Sequence, residues 1–86
     1  MMNDHPTPKP GLVSGTQLRA ARAMAGMTQK DLAAALAIDE RKVRFWERRK
    51  DKAPTNPANS LRVQRVFAER GVILVGEPVA VVQALK

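Results

Sequence analysis

Between Arg41 and Lys52, seven of twelve side chains are Lys or Arg, and Phe45 and Trp46 lie in the middle of them. Cations at this density suit a polyanion: they pair with phosphates, and a guanidinium can also fork two hydrogen bonds onto a guanine edge. A merely solvated charge run has no use for a Phe-Trp pair. A helix turns such neighbours to different sides, and at 100° per residue Val43, Trp46, Glu47 and Lys50 share one side. Arg41, Arg44, Phe45 and Arg48 gather on the opposite side. Trp46 is therefore expected in the core and Phe45 outside it. Arg41 and Arg44 could each grip a guanine through O6 and N7, Phe45 could rest on a thymine methyl, and Glu40 could accept from a cytosine amino group. Plainer uses stand beside these: Phe45 could cover the fourth helix or a subunit interface, and Glu40 could serve only the helix dipole.

The whole chain narrows the chemistry further. Fifteen Lys and Arg stand against eight acids, for a net charge of +7 and a pI near 10.9, which makes nucleic acid the leading partner. With 86 residues the chain forms one small domain whose core only just stabilises itself, so a second subunit is expected to contribute. There is no cysteine, and His5 is the single histidine. Disulfides, thiolate metal sites and imidazole catalysis are thereby removed, and no phosphate-binding glycine motif is present, so neither an enzyme nor a cofactor or metal is expected. The start, MMNDHPTPKPG, reads as a flexible arm over residues 1–13 and lacks the apolar region of a signal peptide. The tract VILVGEPVAVV is too short and too interrupted to span a membrane, and a cytoplasmic, nucleoid-associated location is expected.

The elements that must position these residues have marked boundaries. Ser14 with Gln17 has the form of a capping box and opens a helix over about 15–25, which Gly26 stops. Thr28 with Asp31 is a looser box opening a second helix over 29–36. Asp39 caps a third helix running to about Arg49, after a connection of only Ala37, Ile38 and Asp39, which forces a steep crossing. Asn56 followed by Pro57 starts a fourth helix that ends by Gly71. Arg62, Arg65 and Arg70 on it read as plain surface charge. The final VILVGEPVAVVQALK reads as two short strands in a hairpin, with a short helix from Pro78 as the alternative. Neither strand alternates apolar with polar residues, so both faces need cover. A dimer contact through Val72, Ile73, Leu74, Val75, Val79, Val81, Val82 and Leu85 is the economical source of it.

The run LRAARAMAGMTQKDLAAALAIDERKVRFWE resembles the Cro/C1-type (XRE-like) helix-turn-helix family of bacterial and phage transcription regulators. The resemblance rests on Leu18, Arg22, Gly26, Thr28-Gln29, Asp31-Leu32-Ala33, Leu36, Val43 and Trp46-Glu47, and spans about residues 14–70. It implies a mainly α fold, a four-helix helix-turn-helix domain over 14–70 with a short C-terminal β-hairpin or strand within 71–86. It further implies an Arg22–Glu47 ion pair and a phosphate contact by Gln29 beside Thr28. Lys42, Arg48, Arg49, Lys50 and Lys52 complete the expected phosphate-holding set. Two departures stand out. Ala37 replaces the usual Gly, so the turn is expected to avoid positive φ, and Trp-Glu-Arg-Arg-Lys-Asp-Lys replaces the Trp-Glu-x-Gly ending with a longer basic loop. The implied function is regulation of transcription by a homodimer on a palindromic operator, repressing by default or activating through RNA polymerase or another protein. The competing expectation is a DNA-binding antitoxin whose apolar tail holds a toxin.

Overall fold

The computed structural model describes residues 9–52 and 54–84. In chain order its elements are β1 (Lys9–Pro10), α1 (Gly15–Met24), α2 (Gln29–Leu36), α3 (Glu40–Arg48), α4 (Pro57–Ala68), β2 (Val72–Glu77) and β3 (Val79–Gln83). Every helix starts on a side-chain cap. Ser14, Thr28, Asp39 and Asn56 accept from the backbone N–H of Gln17, Asp31, Arg41 and Asn59, satisfying donors that a helix leaves without internal partners. The box at Thr28 is reciprocal, since the Asp31 carboxylate accepts the Thr28 N–H at 2.9 Å. The expected box at Ser14 is only half formed, because the Gln17 side chain turns elsewhere.

The turn between α2 and α3 corrects an expectation. Ala37 itself adopts the left-handed conformation, with φ 57° and ψ 45°, and its N–H and that of Ile38 reach the Ala34 and Ala33 carbonyls at 3.2 and 3.0 Å. Closing those carbonyls outweighs the strain that a Cβ brings to this region.

The three strands form an antiparallel sheet in the order β1-β2-β3. β2 and β3 make the expected hairpin, with Ile73 opposite Val82 and Leu74 opposite Val81. The segment after the cis Glu77–Pro78 bond is thus a strand, and not a helix from Pro78. The third strand was not anticipated. Lys9 pairs with Glu77 and Pro10 with Val75, Gly11 N–H donates to the Leu74 carbonyl at 3.1 Å, and Leu12 is buried. Residues 9–13 of the expected arm therefore belong to the folded body; residues 1–8 of it lie outside the described residues.

Leu18, Ala21, Leu32, Leu36, Val43, Trp46, Val63 and Phe67 form the core, closed on one side by Val72 and Leu74 of the sheet. Complete burial of a side chain such as Phe67 or Leu18 stabilises the fold by about 1.5–3 kcal/mol. The expected interface is corrected by the same packing. Val72, Leu74 and Val75 are buried within the chain, and Val81 packs partly against the core, so these four are structural. Ile73, Val79 and Val82 are exposed, and Leu85 lies outside the described residues. Arg62, expected to be plain surface charge, donates to the Leu36 carbonyl and ties α4 to the end of α2. Among the described residues no helix is long and apolar enough to cross a membrane.

Gln17 is the buried polar residue among those described, and its amide joins β2, β3 and the segment before α1 to that helix. Its Oε1 accepts the Val13 N–H at 2.8 Å. Its Nε2 donates toward the carbonyls of Gly11 and Val75, each at 2.8 Å, and of Ala80 at 3.3 Å. Burying an amide is costly unless its hydrogen bonds are replaced, and here they are.

Candidate nucleic-acid interface

α3 is fastened from below. Val43 and Trp46 are buried, while Arg41, Lys42, Arg44, Phe45 and Arg48 are exposed. Its C-terminal end is gripped by the start of α1: Gly15 N–H donates to the Arg49 carbonyl at 2.8 Å, and a Cβ on Gly15 would stand 2.3 Å from the Trp46 carbonyl oxygen. The positive end of one helix thus meets the negative end of the other.

A second fastening is ionic. Arg22 on α1 donates through Nε to Glu47 Oε2 at 2.7 Å and through Nη2 to Oε1 at 3.1 Å, and its Nη1 reaches the Met27 carbonyl at 2.9 Å. The bond to Glu47 raises the guanidinium pKa further above its ordinary value, against the opposing effect of burial. Gln29 joins the pair, its Nε2 donating to Glu47 Oε1 at 3.1 Å. The side chain expected on a phosphate is here the third member of a network that holds α1, α2 and α3 together. Thr28 is likewise occupied, capping α2 with Asp31.

Beside this network lies an open cleft of about 480 Å³ that brings Gln29, Arg44, Arg48 and Lys50 together with Arg19. Arg19 is absent from the expected site. It lies on α1, away from the basic run in sequence, and the available signal was its spacing of three from Arg22, which puts both on one helix face. Lys50, expected in the phosphate-holding loop, lies beyond the end of α3 at Arg48 and is exposed at the cleft. The loop after α3 forms a second concavity that gathers Arg48, Arg49, Lys50 and Lys52. Arg49 also places its guanidinium 5.7 Å from the Phe45 ring centroid, so the exposed aromatic carries a cation over its face. Thr28 and Lys42 line neither concavity.

Three of the four residues expected to read bases, Glu40, Arg41 and Arg44, are drawn into ion pairs. Arg44 Nη1 donates to Glu40 Oε2 at 2.8 Å, one helical turn away. Arg41 is held by the cap residue Asp39 through two side-chain bonds, of 3.2 Å from Nε and 3.0 Å from Nη2. Exposed pairs of this kind contribute about 0–1 kcal/mol, more when bidentate, so an incoming ligand opens the single Arg44–Glu40 bond more readily than the two-bond Arg41–Asp39 pair. Among the described residues no group of three His, Cys, Asp or Glu side chains could hold a metal ion. No protein-family model matches the chain, and no curated protein matches it.

Proposed function

We propose that this chain is a sequence-specific DNA-binding regulator of transcription, built on a helix-turn-helix of the Cro/C1 type and acting as a homodimer on a palindromic operator. One observation carries the reading: a short helix anchored by Val43 and Trp46 presents Arg41, Arg44, Phe45 and Arg48 outward, beside a cleft lined by Arg19, Arg48 and Lys50. A helix of this width fits the major groove, where guanidinium forks read guanine and an apolar ring meets a thymine methyl. Arg19, Arg48, Lys50 and Lys52 hold phosphates, which fix register without reading sequence. Gln29 serves Glu47 first and can offer DNA only what that bond leaves. Glu40 accepts from a cytosine amino group when Arg44 moves to a base. Ile73 and Val82, paired on one side of the hairpin, supply the apolar contact between subunits, and the half-sites lie about 34 Å apart. Occupying a promoter represses; a contact with RNA polymerase would activate. The location that follows is the cytoplasm, at the nucleoid.

The test is selection of bound duplexes from a random library. A palindromic consensus supports the reading, and no enrichment over the starting pool overturns it. A second reading is favoured by the exposed apolar pair on one side of the hairpin: an antitoxin that binds DNA through α3 and a toxin through Ile73 and Val82. A stable dimer of the isolated chain in sedimentation would count against it, because the dimer would already occupy that face.

A further inference from the structure

We infer that Asp39 is a positioning residue that makes Arg41 a directional reader of one guanine and keeps it from acting as a phosphate clamp. This rests on the DNA-binding reading of α3. Asp39 Oδ1 accepts the backbone N–H of Arg41 at 2.8 Å, so the carboxylate is fixed by the first turn of the helix that it caps. The same oxygen accepts Arg41 Nε at 3.2 Å, and Oδ2 accepts Nη2 at 3.0 Å. The guanidinium is therefore held side-on.

A guanidinium has five N–H donors, and a side-on pair uses two. The outer fork, one N–H each from Nη1 and Nη2, is left pointing away from the carboxylate, and it is the fork that matches guanine O6 and N7. The two classes of DNA acceptor respond differently to the pairing. A phosphate is held by net charge, which the adjacent carboxylate cancels and then opposes. Guanine O6 and N7 are neutral and are held by direction, which the pairing enforces. Both partners remain within reach of a ligand, with side chains 80% and 56% exposed for Arg41 and Asp39. The carboxyl pKa, held down to about 2 chiefly by the bond from Arg41, keeps the pair charged at neutral pH. Arg44 differs, with a single bond from Nη1 to Glu40 that leaves its plane free to turn.

The experiment compares Asp39→Asn with the full wild-type chain on the selected duplex and on a random duplex, by fluorescence anisotropy across a salt series. Asn caps a helix as well as Asp, so circular dichroism and the melting temperature are expected to hold. Freed of its carboxylate, Arg41 clamps phosphate: random-duplex binding tightens several-fold and its salt slope steepens by about one. The ratio of selected to random affinity falls about tenfold, and reselection shows the loss at a single guanine. Arg41→Lys keeps the charge without the fork, and is expected to lose the same guanine while retaining random-duplex affinity. In an Arg41→Ala background, Asp39→Asn leaves base preference unchanged. An unaltered ratio and consensus for Asp39→Asn, or full guanine preference in Arg41→Lys, overturns the inference while leaving the DNA-binding reading intact. A wild-type chain that enriches no sequence overturns both.

Discussion

The Arg22 guanidinium clasps the Glu47 carboxylate through two bonds of 2.7 and 3.1 Å, and the Glu47 side chain is only 6% exposed. A carboxylate so placed depends on its partner. Arg22→Met should destabilise the fold by about 2–3 kcal/mol, since it leaves a largely buried charge uncompensated. Replacing both, Arg22→Met with Glu47→Leu, should cost less than the sum of the single changes, as urea unfolding of the four variants in a cycle would reveal. Additive effects would mean that the two side chains do not act as a unit.

Gly15 allows α1 and α3 to meet. A methyl group there would fall 2.3 Å from the Trp46 carbonyl oxygen and 2.8 Å from that of Glu47, both backbone atoms that cannot swing aside. Gly15→Ala should therefore lower stability by about 3 kcal/mol, near the upper end for overpacking, despite the better helix propensity of Ala. A midpoint in urea equal to that of the wild type would refute the close approach.

Ala37 offers the opposite case. At φ 57° a Cβ is strained, and Ala37→Gly removes the strain while loosening the unfolded chain. The expected net gain is about 0.5–1 kcal/mol, read as a rise in melting temperature. A fall would show that the α2–α3 turn gains nothing from a residue suited to that conformation.

Arg44 and Lys50 share the cleft but should differ in what they do to binding. Arg44→Ala should cost about 1–3 kcal/mol on the selected duplex and relax preference at one base, whereas Lys50→Ala should weaken all duplexes alike and flatten the salt slope by about one. Equal losses on selected and random DNA for both variants would remove Arg44 from base reading.

Val82 stands opposite Ile73 on the exposed side of the hairpin. Val82→Lys should leave the fold intact and shift sedimentation to a monomer, with loss of operator affinity at low protein concentration. Persistence of the dimer would move the contact to another surface. Deleting 72–84 is no substitute, because Val72 and Leu74 belong to the core.

What the sequence disclosed was local. Ser14, Thr28, Asp39 and Asn56 sit directly before the helices they cap, and stepping around α3 separated Trp46 from Phe45 because a regular helix has a fixed period. What escaped was the meeting of distant segments. Gln17 fits the spacing of a capping box, and nothing near it in sequence points to a Val75 carbonyl 58 residues away. Continuous apolar character in 72–75 was read as two faces awaiting a partner, whereas β2 is a central strand that lies against α1 and α4 of its own chain. Arg19 reaches the cleft only because α1 crosses α3. Ala37 is the local exception: closing the Ala33 and Ala34 carbonyls at the end of α2 holds it in a conformation that its residue type alone does not favour.

The two residues Gly15 and Gln17 lie within one turn of α1, yet Gly15 abuts the end of α3 and Gln17 is bonded to both strands of the hairpin. α1 thus works as a ruler. In a two-fold assembly joined through the hairpins, the separation of the two α3 helices would be gauged by that single turn, and the operator spacing would be written in residues that never approach the DNA.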